Sequence, residues 1–315
     1  MTVPDSRESP QMVLRAAPAK KGMLAGFDGK KASPYLFLLP FLIAYVVLIL
    51  YPIFQGLYVS LTNWDMMSPE KPFVGLRNFE YLFFGDPLFW DSVKATLQYI
   101  FTNVPIKIVL GLALALIFNQ KLPGMAFHRG ALFLPFVINI AAVGILFQWI
   151  MDPQIGLMNY YLQMIGLPPQ KWLVDPTWTM ELVVMVTIWW SIAFNVIVFL
   201  AGLQEIPEEL YEAARIDGAN AWHRFWNITL PCLRGSMMFV VVMQIIGSFQ
   251  AFGNIFMLTE GGPNNATNVL MVHLYKTGFF YFQMGPAAAI GVIIFIIVMA
   301  LTIGVLATFR KQVEY

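Results

Sequence analysis

The stretch Glu209 to Pro231 reads ELYEAARIDGANAWHRFWNITLP and lies between two long apolar runs. Its Glu, Arg and Asp residues would be costly inside a membrane span. Its regular pattern also distinguishes it from an irregular loop. We therefore predict a structured polar segment that lies outside the bilayer and joins two membrane spans.

A short helix is predicted at the start of this segment. Pro207 suits the first helical position because its φ is fixed and it has no N–H to leave unpaired, and the glutamates that follow complement the positive helix end. Gly218 predicts the end of the helix. One face has the spacing i, i+3, i+4 and i+7 and consists of Leu210, Ala213, Ala214 and Asp217. Its small side chains would let another protein surface approach the backbone closely.

The composition is that of an integral membrane protein. Hydrophobic residues make up 58% of the chain and charged residues 12%, against roughly 25% charged residues in an average soluble domain. The net charge of +1 gives no indication of nucleic-acid binding. The single cysteine, Cys232, excludes a disulfide within the chain.

The N-terminal residues differ from the rest of the chain. Residues 1 to 33 are polar, contain six Lys or Arg residues and are predicted to be a disordered cytoplasmic tail. They do not have the pattern of a cleavable signal peptide, because the apolar run begins only near Tyr35 and is too long. Residues 34 to 315 are predicted to form the transmembrane domain, with a cytoplasmic loop at residues 204 to 235.

Runs of about 20 apolar residues, the length that spans a bilayer, occur six times. We place them at residues 35 to 59, 95 to 118, 130 to 150, 182 to 203, 236 to 258 and 287 to 309. With the N-terminus inside, the cytoplasmic connections hold 13 Lys and Arg residues and the outer connections hold five. This distribution predicts an all-α protein of six transmembrane helices whose two termini and polar segment are cytoplasmic.

The outer connections are long and rich in aromatic residues. Residues 61 to 94 predict a short helix along the membrane surface around Leu76 to Phe84, and residues 259 to 286 open with the turn sequence TEGGPNNAT. Most of these aromatic residues are interpreted as interfacial anchors. The remainder could dock an external partner.

Catalytic motifs are absent from the sequence. His128, His223 and His273 lie in three different connections, so they do not have the spacing of metal ligands. The phosphate-binding pattern G-x-x-x-x-G-K-S/T is also missing. We therefore expect no catalytic residue, no metal and no cofactor in this chain, and any ATP hydrolysis to take place on another subunit.

Polar residues inside the predicted spans are more informative. Lys107 is the only charge well within a span, and its neighbours Asn103 and Pro105 suggest a locally opened helix. Lys107 could line a cavity, could pair with a neighbouring helix, or could indicate a misplaced span boundary. The other polar residues in the third, fourth and fifth spans are too many for helix association alone, so we predict a polar pathway.

Two helix faces in the fourth and fifth spans have a related pattern. The fourth span repeats hydroxyl and aromatic side chains at i, i+3, i+4 and i+7, and the fifth carries an amide and a hydroxyl at i and i+4. These positions are Thr187, Trp190, Ser191 and Phe194, and Gln244 and Ser248. Hydrogen-bonding groups beside flat aromatic faces suit a ligand with many hydroxyls, which predicts a sugar or polyol.

The polar segment contains a motif with defined spacing. Glu212-Ala213-Ala214, three residues, Gly218, nine residues and Ile228-Thr229-Leu230-Pro231 are similar, without a departure, to the EAA-x3-G-x9-I-x-LP loop of permease subunits of binding-protein-dependent ABC importers. The resemblance covers nearly the whole chain except the tail. The TEGGPNNAT turn is similar to that of the carbohydrate branch of this family, and in particular of its maltose-permease-like first subunit. The resemblance as a whole implies the type I importer fold, in which the EAA loop lies between helices 4 and 5.

The resemblance implies roles for particular residues. In this family the loop forms a coupling helix that seats in a cleft of a cytoplasmic ATPase. The implied coupling residues are Glu212, Ala213, Ala214, Gly218, Ile228, Leu230 and Pro231. The implied substrate pathway consists of Thr187, Trp190, Ser191 and Phe194 before the loop and of Gln244, Gly247 and Ser248 after it, with Lys107 as a further candidate from its charge. Several of these side chains differ from the maltose pattern.

The resemblance also implies partners and a mechanism. We expect a second homologous permease subunit, two ABC ATPase subunits that bind ATP and Mg²⁺, and an external solute-binding protein, in the cytoplasmic membrane of a bacterium or archaeon. Transport of a sugar would proceed by alternating access. Glycerol phosphate or an amino acid is the alternative substrate. A secondary transporter is disfavoured because no Asp or Glu lies within a span, and a membrane-bound enzyme because no reactive cluster is present.

Overall fold

The computed structural model describes residues 29–120 and 123–310. By contacts between Cα atoms the chain divides into two compact units, one up to Phe54 and one from Gln55 onward. Helix α1 (Gly29–Tyr45) contains the predicted boundary of the tail at residue 33. The remainder of the predicted tail lies outside the described residues.

The first apolar run begins in the first unit. Helix α1 continues through a π-helical turn (Val46–Leu50) into α2 (Tyr51–Ser60), which extends into the second unit. Together they give a helix from Phe37 to Ser60 that is long and apolar enough to cross a membrane. The predicted span at residues 35 to 59 falls on this helix.

The outer connection of the second unit holds the predicted surface helix. Helix α3 (Arg77–Phe84) begins one residue after the predicted start at Leu76. It is held to the preceding turn by the buried amide of Asn78, whose Nδ2 donates to the carbonyl oxygens of Ser60 and Thr62, each at 2.8 Å. Because one side chain satisfies two backbone acceptors, this connection has a defined conformation.

Helix α4 (Phe89–Phe118) is the second span and runs without interruption. The expected local opening of the helix at Pro105 is therefore wrong. The exposed Pro105 ring lies on the outer side of the helix, where the loss of one backbone hydrogen bond does not break it. Lys107 lies well inside this helix, and its side chain is buried.

The third predicted span is broken. Helices α5 (Met125–Val137) and α6 (Ile140–Ile150) meet at an angle of 94°, so a single straight helix over residues 130 to 150 is wrong. Pro135 removes a backbone donor near the end of α5, and Asn139 then caps α6 by accepting from Ala141 N at 2.8 Å. Helix α7 (Leu157–Met164) follows in the outer connection.

The fourth span and the polar segment follow. Helix α8 (Thr179–Gln204) contains the predicted span. Helix α9 (Glu208–Ile216) begins one residue later than predicted, because Pro207 has an extended ψ of 133° and is its N-cap. Helix α10 (Ala221–Arg224), a π turn (Phe225–Thr229) and α11 (Leu230–Cys232) then lead to α12 (Arg234–Phe249) through a bend of 66°.

The fifth predicted span ends early. Helix α12 stops at Phe249, and the chain resumes as α13 (Gly253–Thr259), so an unbroken span over residues 236 to 258 is wrong. Helix α14 (Leu270–Tyr275), a π turn (Lys276–Phe280) and α15 (Met284–Arg310) complete the described chain. The predicted sixth span falls on α15.

The number of helices that could cross a membrane agrees with the six spans predicted from the sequence, provided that each bent pair is one span. Within residues 29–120 and 123–310, four helices are long and apolar enough to cross a membrane, and the number reaches six if each bent pair is one span. The second unit is built around α4 and α8, against which α12 and α13 pack. Gly111 permits the close approach of the first two, since a Cβ added there would lie 2.7 Å from Asn195 Cβ.

Candidate functional site

Three polar stripes face one another between α4, α8 and α12. Each stripe has residues four positions apart, so its members lie on one side of their helix. All of their side chains are buried. The stripes are Tyr99, Asn103 and Lys107 on α4, Thr187, Ser191 and Asn195 on α8, and Gln244 and Ser248 on α12.

The first layer of contacts joins all three helices. Lys107 Nζ donates to Gln244 Oε1 at 3.3 Å, and Gln244 Nε2 donates to Asn195 Oδ1 at 2.6 Å. Asn195 Nδ2 donates to the Lys107 carbonyl at 3.1 Å. Among the described residues no carboxylate pairs with the Lys107 ammonium. The described contact of the ammonium is therefore a single amide oxygen, that of Gln244, and the ammonium keeps donor capacity.

The second layer is less complete. Asn103 Nδ2 donates to Ser248 Oγ at 3.3 Å, whereas Asn103 Oδ1 has no hydrogen-bond partner in the described structure. The hydroxyl of Ser191 is turned to its own helix and donates to the Thr187 carbonyl at 2.6 Å. This layer therefore retains an unused acceptor.

The third layer is centred on Asn254 of α13. Its Nδ2 donates to Tyr99 Oη at 3.3 Å and to Thr187 Oγ1. The Thr187 hydroxyl in turn donates to the Val183 carbonyl at 2.7 Å. The break between α12 and α13 thus brings a polar side chain to the end of the two stripes.

Aromatic side chains line another part of the same space. Trp190 Nε1 donates to the carbonyl of Ile138 at 3.0 Å, which is the backbone exposed by the break between α5 and α6. The Trp190 ring lies 5.9 Å from that of Phe136, and Phe194 lies 6.3 Å from Phe239. These rings give the space flat apolar surfaces beside its hydrogen-bonding groups.

Seven of the eight stripe residues, all except Asn195, line an open cavity of about 380 Å³ together with Phe136, Trp190 and Phe194. The structure brings all eight residues predicted for the pathway to its wall: Lys107, Thr187, Trp190, Ser191, Phe194, Gln244, Gly247 and Ser248. The sequence analysis missed Tyr99 and Asn254 and did not assign Asn103 to the site. The spacing of Tyr99, Asn103 and Lys107 along α4 could have revealed the first stripe. Asn254 could not be placed because the helix break was not foreseen.

The polar segment is a separate candidate site. Gly218 has a φ of +78°, and the N–H of Ala219 donates to the Ala214 carbonyl at 2.8 Å, which ends α9. Asn220 then caps α10 by accepting from His223 N at 2.9 Å. Gly218 therefore ends the helix as predicted and turns the chain into the next helix.

The predicted coupling residues fall into three environments. A groove of about 410 Å³ is lined by Ala214, Gly218 and Ile228. Glu212 and Ala213 are exposed on α9. Leu230 packs against the apolar core near the C-terminal end of α8, and Pro231 lies in the first turn of α11. The structure thus gathers only part of the set around one groove.

Helix α9 contacts the following segment through the side chain of Tyr211. The oxygens of Tyr211 Oη and the buried Thr229 Oγ1 lie 3.0 Å apart. Leu210 and Ile216 are 45% and 86% exposed, so the outer face of α9 is partly apolar and uncovered. This is a surface suited to contact with another protein.

The described residues contain no group of three His, Cys, Asp or Glu side chains that could hold a metal ion. His273 Nε2 instead lies 2.8 Å from Asp86 Oδ2 in a buried contact of the outer connection. His128 and His223 each lie near residues of their own turn. The three histidines remain apart, in different connections.

Apolar helices around a buried polar cavity, joined to an exposed polar helix, define an integral membrane protein of the transport class. Residues 107–314 match the family described as binding-protein-dependent transport system inner membrane component. The chain therefore belongs to this family, the permease subunits of ABC importers. The family resemblance and the fold class drawn from the EAA motif are confirmed.

Similar proteins agree over nearly the whole chain. The probable ABC transporter permease protein YurN of Bacillus subtilis is 37% identical over 288 residues, which are 90% of this chain and 98% of that protein. The trehalose/maltose transport system permease protein MalF of Thermococcus litoralis is 34% identical over 272 residues, covering 85% and 90%. The sn-glycerol-3-phosphate transport system permease protein UgpA of Agrobacterium fabrum is 34% identical over 288 residues, covering 90% and 97%.

A solved structure supports the same fold. A chain of a bacterial ABC transporter involved in the import of the acidic polysaccharide alginate superposes with a TM-score of 0.81 at 25% identity, covering 91% of this chain and 98% of that chain. This family is an inner-membrane component of binding-protein-dependent importers. The membrane localisation and the transport class predicted from the sequence are therefore confirmed.

Proposed function

We propose that the cavity between α4, α8 and α12 is the transient binding site of a neutral sugar or polyol that this permease passes across the membrane. The observation that carries the proposal is the wall of the cavity, in which hydroxyl and amide groups alternate with the rings of Trp190 and Phe194. Sugars present hydroxyls at their edges and C–H groups on their faces, so such a wall binds both. A relative named for trehalose and maltose supports the same substrate class.

Glycerol phosphate is the second candidate. The Lys107 ammonium has no carboxylate partner among the described residues and could bind an anionic group. A relative of similar identity is named for sn-glycerol 3-phosphate. If the substrate is a neutral sugar, Lys107 instead donates hydrogen bonds to the hydroxyl oxygens of that sugar.

The chain is proposed to act within a larger assembly. A second homologous permease completes the pathway, two ATPase subunits supply the energy with ATP and Mg²⁺ bound to them, and an external binding protein delivers the solute. Helix α9 is the proposed contact with an ATPase, supported by its exposed apolar residues and by the glycine turn at Gly218. Both termini are placed in the cytoplasm from the distribution of Lys and Arg.

ATPase motion would reach the cavity through the polar segment. Tyr211 contacts Thr229, and the segment continues into α12, which carries Gln244 and Ser248. A displacement of α9 would therefore move one wall of the cavity relative to α4 and α8. Alternating access of this kind requires an element that can adopt two arrangements. Both the ATPase contact and the cavity must shift the equilibrium between these arrangements.

The test is uptake by vesicles that contain the complete complex and loaded binding protein. Radiolabelled maltose, trehalose, arabinotriose and glycerol 3-phosphate are supplied with or without internal Mg·ATP. We expect ATP-dependent uptake of at least one neutral sugar. Uptake of glycerol 3-phosphate alone would support the second candidate, and uptake of none of the four would contradict the proposed substrate class.

A further inference from the structure

Three aromatic side chains form a cluster on the polar segment. Trp222, Phe225 and Trp226 lie on α10 and the π turn that follows it, at positions i, i+3 and i+4. The ring centroids of the two tryptophans lie 5.6 Å apart, and those of Phe225 and Trp226 lie 5.5 Å apart. Trp222 is 67% exposed and Trp226 is 51% exposed. At least half of each tryptophan is therefore uncovered, as at protein and membrane interaction sites.

Polar side chains occupy the opposite side of this stretch. His223, Arg224 and Asn227 line the groove of about 410 Å³ beside the turn at Gly218, whereas none of the three rings lines it. Positions i, i+3 and i+4 share a helix face, so the stretch is amphipathic. Basic and polar residues on one side, with tryptophan and phenylalanine on the other, are typical of helices that lie in a membrane interface.

The angle to the following span suits such a position. Ala221–Cys232 and Arg234–Phe249 together are long and apolar enough to form a span, but they are bent by 66° at Leu233. Membrane helices tilt by about 20° on average from the bilayer normal, so a segment that leaves one at this angle runs closer to the membrane plane than to the normal. Phe225 packs against the apolar cluster that contains Leu203 and Leu233. The aromatic cluster is therefore fixed at the end of the bundle where this span begins.

Charge separates this stretch from α9. Residues 219 to 235 hold two arginines, Arg224 and Arg234, and no Asp or Glu. The acidic residues of the polar segment lie before them and end at Asp217. An anionic lipid surface attracts the first group and repels the second. The charge distribution therefore favours lipid next to the aromatic cluster and a protein subunit next to α9.

We propose that Trp222 and Trp226 insert into the boundary between head groups and acyl chains, in the leaflet on the side of the polar segment. Tryptophan favours this layer because its ring is apolar while its N–H can hydrogen-bond to a head group or to water. The lipid holds the stretch before α12 at the membrane surface while α9 contacts a protein subunit. This contact goes beyond solute binding and does not depend on which solute is transported.

Spin labels measure which medium surrounds each position. The complete complex is reconstituted into nanodiscs of phosphatidylcholine and phosphatidylglycerol. This chain carries C232S, because Cys232 is its only cysteine, together with W222C, W226C or H223C, and the partner subunits are made free of cysteine. Oxygen partitions into lipid and the nickel chelate NiEDDA into water, so the ratio of the oxygen accessibility to the NiEDDA accessibility rises in lipid.

The matched control is H223C, because His223 is exposed on the polar side of the same helical turn. We expect the accessibility ratio at W222C and at W226C to be roughly threefold higher than at H223C, or more. High accessibility to NiEDDA would show water, and low accessibility to both reagents would show a covering protein subunit. Either result, at either tryptophan position, would overturn the proposal.

A second measurement keeps the native rings. The chain has nine tryptophans, so the emission of the wild-type complex minus that of the W222F/W226F complex isolates the two in question. In nanodiscs of phosphatidylcholine brominated at carbons 6 and 7 of one acyl chain, we expect this difference to fall about twofold or more. An unchanged difference would contradict the lipid contact. Neither measurement requires uptake, so a complex that transports none of the four solutes would contradict only the proposed function.

Discussion

Gln244 Nε2 donates to Asn195 Oδ1 at 2.6 Å and thereby joins the span after the polar segment to the span before it. The two residues lie 49 positions apart in the chain, and Gln244 also lines the cavity. The polar segment from Glu209 to Pro231 connects the same two helices on the predicted cytoplasmic side. The two helices that flank the polar segment are therefore connected both through the chain and through a side-chain contact.

Replacing Gly218 by valine should uncouple ATP hydrolysis from transport. The φ of +78° is unfavourable for a β-branched residue, at a cost of about 1–2 kcal/mol, and the turn that positions α9 would be distorted. We expect loss of ATP-driven uptake in reconstituted vesicles and weaker co-purification of the ATPase. The matched control is G235A, since Gly235 has open space around it and no positive φ. Normal uptake by G218V would contradict the coupling role.

The double variant W190F/S248A should change the substrate profile without affecting assembly. It removes the indole donor to the Ile138 carbonyl and the hydroxyl that accepts from Asn103. Each lost hydrogen bond is worth about 1 kcal/mol, so we expect relative uptake rates of the four solutes to shift severalfold. W189F, at the adjacent residue, serves as the control. An unchanged profile would remove Trp190 and Ser248 from the pathway.

Lys107→Met should distinguish the two substrate candidates. Loss of the ammonium removes the positive charge that an anion would need, while a neutral sugar loses hydrogen bonds only. We expect uptake of glycerol 3-phosphate to fall more than that of maltose if the anion binds here. The control is K94M, on the same helix, whose ammonium is exposed and paired with Asp91. Equal effects on both solutes would reject an anion site at Lys107.

Stability at alkaline pH should depend on Lys276 in the outer connection. Desolvation by burial lowers the pKa of this lysine from 10.5, and the charge of Glu260 opposes the shift. A lowered pKa in the folded state means that the unfolded state binds more protons, so this residue makes stability rise with pH between the lowered pKa and 10.5. The K276M variant should lack this rise of stability with pH. At pH values below the lowered pKa, its thermal midpoint should be higher than that of wild type.

The measurement compares thermal midpoints of wild type and K276M in detergent across this pH range. K171M is the control for a lysine of another outer connection. If both variants have the same pH dependence as wild type, Lys276 does not contribute to it.

Much of the site followed from sequence because helical periodicity fixes which residues share a face. Thr187 and Ser191 are four positions apart, as are Gln244 and Ser248, and the structure places both pairs at one cavity. The EAA spacing likewise predicted the turn at Gly218. Periodicity is a local property of the sequence, so it can be recognised without knowing how the helices pack.

The helix breaks could not be predicted in the same way. The runs at residues 130 to 150 and 236 to 258 are predominantly apolar on both sides of each break, and hydrophobicity does not report where a helix ends. Asn139 falls inside the predicted span at residues 130 to 150, yet it caps α6. Asn254 enters the cavity only because α12 stops at Phe249. Such breaks depend on tertiary contacts that satisfy the freed backbone, as Trp190 does for Ile138.

Gly111 makes α4 and α8 a closely packed pair, because it leaves no side chain between them at Asn195. Lys107 and Asn195 are therefore held in a fixed relation, and Gln244 of α12 is the member of the network contributed from outside the pair. Any sliding of α12 past the pair must first break the bonds of Gln244 to Asn195 and Lys107. At about 1–3 kcal/mol for a buried polar group left unpaired, these bonds oppose a displacement of α12 relative to α4 and α8.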